Sequence, residues 1–278
     1  MEIDSEMGDL QQFLGDSPLG IFGAGHLGCA VANSLLTAGF PNRQLLIGHR
    51  GSPATAQRLV EAGLSDFAVD CDTLVREAKM LLYIVRPQDY RAIAEFHVRE
   101  DALLISFLAG VPVSRIPAPL AEGQRVRVMP SAPDTICKKN GIAALYPADN
   151  VIVHALLAAL SLRVFPLRNE ETLHAFTAFG PCLPIALTYW EGLGNRVDDN
   201  ELLDTAAQYG LPDFSEMLAW ARAIQPRQLS VEEQHRYVLQ AATPGGVTEA
   251  ILREIDKGQR LSLALERGVQ RSHELAVV

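Results

Sequence analysis

Two glycine-rich loops, more than two hundred residues apart, carry the spacing from which chemistry can be read. Leu19-Gly20-Ile21-Phe22 is an apolar run leading into Gly23-Ala24-Gly25-His26-Leu27-Gly28, a G-x-G-x-x-G pattern. The first glycine of such a pattern permits a tight turn, the second lets backbone approach a pyrophosphate, and the third lets a helix pack closely on a strand. A helix opening at this point aims free N–H groups and the positive end of its dipole at the anion. The pattern is common; the apolar strand before it and the amphipathic helix after it are the context a dinucleotide site requires. Gly23, Gly25, His26, Leu27 and Gly28 are therefore candidate cofactor contacts.

The end of the next strand should distinguish the cofactors. An NAD site places Asp or Glu about 20 residues on, against the ribose 2′-hydroxyl. This chain has Gly48-His49-Arg50-Gly51-Ser52 instead, with no acid. His49, Arg50 and Ser52 can surround a 2′-phosphate, Arg50 through a charge-assisted fork. The expectation is NADP (NADPH) in preference to NAD; the competing reading is a solvated loop arginine.

The second loop is Thr243-Pro244-Gly245-Gly246-Val247-Thr248, between two helical patterns. Adjacent glycines let a turn present N–H groups to a small carboxylate, and the following helix adds its dipole. Thr248 falls in the first turn of that helix. The alternative is a plain helix–helix connection with Thr248 as a cap.

The elements that must position these residues change character along the chain. The first half alternates strands and helices in βαβ fashion. Strands are expected at 19–22, 44–47, 66–69, 80–85, 102–107, 125–129, 142–145 and 163–165. The runs Met80–Val85 and Ala102–Phe107 are continuous enough for buried parallel strands. Helices are expected from His26 to Ala38 and from the Ser52-Pro53 start to Gly63. From about Asn169 the patterns are long and helical: 183–193, 201–209, 232–242, 247–255 and 261–275. The expected organisation is a flexible acidic extension over 1–14, a dinucleotide-binding domain over 15–168 and a helical domain over 169–278.

Bulk properties narrow the partners. The 278 residues are 48% hydrophobic and 21% charged, enough for sizeable cores. A net charge of −9 argues against nucleic acid, which needs a basic face. Cys29, Cys71, Cys137 and Cys182 are far apart, with no C-x-x-C and no zinc spacing. They read as reduced thiols, and no metal is expected. No signal peptide or membrane span is evident, so the expected location is cytoplasmic.

Six segments in order resemble pyrroline-5-carboxylate reductases. The family's V-K-P-Q appears as Val85-Arg86-Pro87-Gln88, and its S-x-x-A-G-V as Ser106-Phe107-Leu108-Ala109-Gly110-Val111. Its R-x-M-P-N-x-P appears as Arg127-Val128-Met129-Pro130-Ser131-Ala132-Pro133, and its D-A-V-T as His174-Ala175-Phe176-Thr177. Thr243 to Thr248 matches S/T-P-G-G-x-T, and Arg271-Ser272-His273-Glu274-Leu275 matches R-S-x-E-L. The resemblance implies an α/β fold: an N-terminal Rossmann domain with a C-terminal all-helical dimerisation domain, in a homodimer or higher assembly. It implies NAD(P)H-dependent reduction of the cyclic imine 1-pyrroline-5-carboxylate to proline. It adds Val85, Arg86, Pro87, Ala109, Gly110, Met129 and Ser131 to the cofactor contacts. It makes Thr243, Pro244, Gly245, Gly246 and Val247 the substrate loop, with Thr248 on the ring nitrogen.

Two departures bear on the substrate. The family asparagine of M-P-N is Ser131 here. The family's G-S-G-P, which starts a long helix beside the active site, is Pro181-Cys182-Leu183-Pro184, and proline fixes φ where glycine is free. A different imine, or a non-catalytic NADP-binding protein, are the alternatives these departures raise. A β-hydroxyacid-dehydrogenase type of chemistry wants a lysine in the helical half, which offers only Lys257.

Overall fold

The computed structural model describes residues 2–226, 230, 232, 233, 236–238, 242 and 244–277. The chain divides into two compact units, Met1–Pro166 and Leu167–Val278.

The first unit is built on one sheet of eight strands: β1 (Leu19–Phe22), β2 (Leu45–Gly48), β3 (Ala68–Val69), β4 (Met80–Tyr83), β5 (Leu103–Ser106), β6 (Arg125–Pro130), β7 (Ile142–Tyr146) and β8 (Arg163–Pro166). Their spatial order is β3-β2-β1-β4-β5-β6-β7-β8. Pairing is parallel from β3 through β6; β7 runs antiparallel to β6, and β8 parallel to β7. β1, β4 and β5 are buried at every residue, which is why they read as unbroken apolar runs.

Side chains alternate between two cores, as the pleat dictates. Leu82 and Ile105 join one cluster with Leu35 of α2 (His26–Thr37). Leu81 and Leu104 join the other with Leu74 of α4 (Cys71–Glu77). Both faces are covered, and the chain order reverses between β1 and β4. This is a Rossmann-type α/β unit. The helix α3 (Pro53–Glu61) starts at Ser52, with proline in its first turn where no N–H is missed.

Where the sequence suggests a flexible extension over 1–14, residues 2–14 are helical. They form α1 (Glu2–Leu14), which packs on α6 (Val151–Ala159). Met7, Leu10 and Leu14 are buried in the same cluster as Leu156 and Leu157. Their spacing of three and four puts them on one helical face. A further short helix, α5 (Pro133–Cys137), follows β6.

The second unit is helical, with no strand among the described residues. Its helices with both ends among the described residues are α7 (Thr172–Phe179), α8 (Leu183–Gly192), α9 (Asp199–Gln208), α10 (Phe214–Ile224), α11 (Val247–Asp256) and α12 (Leu261–Val277). The helix expected over 232–242 falls partly outside the described residues. All eight residues of α7 are buried, so it is the centre of this unit. Gly268 of α12 sets the approach: a Cβ there would lie 2.7 Å from Cγ1 of Ile251 and 3.2 Å from Cβ of Ala178. Bulky Phe214 is accommodated edge-on against Phe179, with ring centroids 5.5 Å apart.

Candidate active site

In the first unit, the register ends β1, β2, β4 and β5 together, with Phe22 beside Gly48 and Tyr83, and Tyr83 beside Ser106. The loops leaving these strands carry Gly23 to Gly28, His49 to Ser52, Val85 to Pro87, and Ala109-Gly110. β6 pairs Arg127 with Ser106 and runs on through Met129 to Pro130. The predicted cofactor contacts thus gather at one edge of the sheet. This is the carboxyl edge at a topological switch point, where open α/β sheets bind ligands.

The glycine turn is built by close backbone contact. Gly23 has φ +126°, and a Cβ there would lie 2.3 Å from the carbonyl oxygen of Ile84. A Cβ on Gly28 would lie 2.0 Å from the carbonyl oxygen of Gly23. Gly25 differs, because a Cβ there meets nothing within 4 Å. It is the N-cap of α2, and no side chain caps the helix. Two glycines are required by packing, whereas the middle one faces open space at a bare helix N-terminus. These features fit a pyrophosphate approaching the backbone.

Tyr83 fixes the loop after β4. Its hydroxyl lies 3.1 Å from the carbonyl oxygens of Asp89 and Tyr90 and accepts from the Ile93 N–H at 3.2 Å. Burial pushes the Tyr83 phenol well above its usual range, so it stays a neutral donor. The loop it holds presents Arg86, exposed, and Asp89, which pairs with Arg50 at 3.0 Å. Arg50 is half-exposed, with its guanidinium held on the Asp89 carboxylate. The Ser52 oxygen accepts from the Thr55 N–H at 3.2 Å and donates to the Thr55 hydroxyl at 2.8 Å, capping α3. His49 Nδ1 accepts from the Gly51 N–H.

Ser131, expected among the cofactor contacts, turns inward. Its side chain is buried in the seam between β6 and β7, 2.7 Å from the Thr135 hydroxyl and accepting from the Ile142 N–H at 2.9 Å. The Ser131 N–H likewise donates to the Ile142 carbonyl at 2.8 Å, so both its polar groups serve the sheet.

The second loop lies within the helical unit. Thr243 is outside the described residues. Gly245 has φ +72°, and Gly246 is the N-cap of α11. The Gly245 N–H, a donor expected to face a substrate carboxylate, is taken internally by Glu249, whose Oε2 accepts at 2.6 Å. That bond holds the Glu249 carboxyl below its usual range, with Arg253 and Arg271 assisting. Arg271 Nε donates to the Gly245 carbonyl at 2.8 Å, fixing the turn. A cleft of about 320 Å³ opens beside it, with Arg253, Lys257 and Arg271 among its walls. Lys257 pairs with Glu254 at 2.8 Å.

Thr248 meets the segment that departs from the resembled pattern. Its hydroxyl donates to the Cys182 sulfur at 3.3 Å. Burial pushes the Cys182 thiol up to about 11, so at neutral pH the partner is an uncharged thiol. Cys182 is the N-cap of α8, and Pro184 falls in its first turn, where proline is well accepted. The two prolines are thus compatible with a helix start, and their segment orients Thr248.

Comparison with known proteins agrees with this geometry. The family described as NADP oxidoreductase, coenzyme F420-dependent, matches residues 18–110. A pyrroline-5-carboxylate reductase of Methanosarcina acetivorans is 30% identical over 157 residues, covering 52% of this chain and 54% of that protein. The chain therefore aligns with about half the length of that curated relative. The fold is similar to the 1-pyrroline-5-carboxylate reductase of Streptococcus pyogenes, with TM-score 0.57, 18% identity, and coverage of 93% of this chain and 98% of that one. It is also similar to the Coxiella burnetii pyrroline-5-carboxylate reductase, with TM-score 0.56, 18% identity, and coverage of 94% and 99%. An NADP-bound Plasmodium falciparum pyrroline carboxylate reductase is more distant, with TM-score 0.51, 16% identity, and coverage of 94% and 99%. By sequence over about half its length and by fold over nearly all of it, the chain is similar to the pyrroline-5-carboxylate reductases.

Proposed function

We propose that this protein is an NADPH-dependent reductase of a cyclic imine carboxylate, 1-pyrroline-5-carboxylate or a related imine, acting as a homodimer in the cytoplasm through its helical unit. The observation that carries the cofactor reading is the uncapped start of α2 at Gly25, open in front and closed behind by Gly23 and Gly28. Gly23, Gly25, His26, Leu27 and Gly28 would hold the pyrophosphate. His49, Arg50 and Ser52 would surround the 2′-phosphate. Val85, Arg86, Pro87, Ala109, Gly110 and Met129 would border the rest. The cofactor supplies a hydride.

The chain's own residues supply positioning. Pro244, Gly245, Gly246 and Val247, with Thr243 before them, form the substrate loop. A substrate carboxylate would have to displace Glu249 from the Gly245 N–H or bind the neighbouring N–H groups beside it. Because Thr248 donates to Cys182, its oxygen keeps lone pairs to accept from a protonated ring nitrogen. A protonated imine is already electrophilic, so no strong general base is needed. Holding it in an attack geometry can supply several kcal/mol of the barrier.

The test is NADPH oxidation with pyrroline-5-carboxylate and a panel of cyclic imines. Turnover is expected with at least one, and Thr248→Ala should lower kcat by about 10-fold or more if it removes a charge-assisted hydrogen bond worth ~1.5–3 kcal/mol. Tight NADPH binding without turnover of any imine would favour a non-catalytic dinucleotide-binding protein.

A further inference from the structure

Away from the second loop, the start of α7 and the last turns of α12 bring together two histidines and a carboxylate. Glu171 and His174 stand one helical turn apart, and His273 comes from α12. One donor atom from each lies within 4.8 Å of the other two. The two imidazoles stack, with centroids 3.9 Å apart and planes 30° apart. Both turn a nitrogen toward the same oxygen: Nε2 of His174 is 3.9 Å from Oε2 of Glu171, and Nδ1 of His273 is 3.6 Å from it.

The other ring nitrogen of His174 is occupied. Its Nδ1 lies 2.9 Å from the hydroxyl of Ser272, which is itself buried. Donation from Nδ1 to that hydroxyl would leave the Nε2 lone pair facing Glu171. A metal-ligating histidine is oriented in this way, through a hydrogen bond from the nitrogen that does not coordinate. The side chain of His174 is 2% exposed, whereas those of His273 and Glu171 are 47% and 74% exposed. One ligand is therefore anchored in the packed unit and two can adjust at its surface.

We infer that Glu171, His174 and His273 form a binding site for a divalent transition-metal ion of the imidazole-preferring class, with Ser272 orienting the buried ligand. The donor set of two imidazoles and one carboxylate suits zinc and its neighbours and leaves a coordination position for water. Zn–N and Zn–O bonds of about 2.0–2.2 Å put the donors of a tetrahedral site roughly 3.3–3.6 Å apart, so the three donors, now within 4.8 Å of one another, must draw together, and the exposed His273 ring must turn out of its stack on His174 to point its lone pair at the same ion. Mg²⁺, which wants an octahedron of oxygen, should not compete. The ion would tie the end of α12 to the start of α7, two segments about a hundred residues apart in sequence. Because of that separation, the sequence shows no ligand spacing.

The test uses the untagged, full-length, EDTA-treated protein. Calorimetric titration with Zn²⁺ should give one ion per chain, and Co²⁺ should give a visible d–d spectrum displaced by Zn²⁺. Mg²⁺ should give neither. His273→Ala and Glu171→Gln change exposed groups, and each should weaken Zn²⁺ binding by roughly 10-fold or more, the two together abolishing it. A His97→Ala control, in the other unit, should leave it unchanged. Absence of Zn²⁺ binding, or unchanged affinity in the double variant, would show that the cluster is only a carboxylate–imidazole contact and would overturn the assignment.

Discussion

Arg50 illustrates how a residue can be read from what its neighbours lack. The missing acid after β2 marked it as a ligand for a 2′-phosphate. Its partner Asp89 was not legible, because only the fold brings the β4 loop to the same rim. A half-exposed pair of this kind contributes at most about 1 kcal/mol, so Arg50 could exchange Asp89 for a phosphate at little cost. Arg50→Ala should raise KM for NADPH by about 10-fold or more while leaving KM for NADH nearly unchanged. An equal loss with both cofactors, measured by steady-state kinetics, would remove Arg50 from phosphate recognition. Glu249 was closer to legible: a glutamate three residues after the N-cap often reaches back to a backbone N–H. Its lowered pKa means that this contact is present above the usual carboxylate range and is lost as pH falls through the lowered value. Cys182 gave no signal, since a lone buried cysteine looks like any small apolar residue.

At the scale of elements, the buried strands were the plainest part of the sequence, because a strand covered on both faces must be apolar throughout. Short helices such as α4 and α6 were missed. Their Asp70 and Asn150 caps are visible only once the neighbouring strands are fixed. In α1 the spacing of Met7, Leu10 and Leu14 is obscured in the sequence by the polar residues between them, exposed Asp9 among them. The glycine turn makes its own prediction. Gly25→Ala should leave the melting temperature within a few degrees of the parent yet weaken NADPH binding, because its Cβ enters the open space in front of α2. Gly28→Ala should lower the melting temperature markedly, because its Cβ would collide with the Gly23 carbonyl. Thermal melts paired with NADPH titration separate the two outcomes, and similar behaviour of both variants would refute the distinction.

At the scale of the molecule, the two units have unequal standing. Both sheet-flanking cores lie wholly within residues 1–166. A fragment ending at Pro166 should therefore fold cooperatively and bind NADPH with an affinity close to that of the full chain. Failure to fold, monitored by circular dichroism and NADPH fluorescence, would show that the sheet depends on the helical unit. The division into a strand-rich first part and a helical second part was evident from the change in periodicity near residue 168. The internal wiring of the second part was not, because helix-to-helix contacts join residues far apart in sequence. The turn from Gly23 to Gly28 also bears on how such a protein can diversify. At Gly23 and Gly28 the backbone of the turn meets the Ile84 and Gly23 carbonyls directly, so substitutions at these two positions have almost no room to explore. The turn is expected to pass between descendants as a block, leaving new substrate preferences to arise in segments such as Pro181 to Pro184.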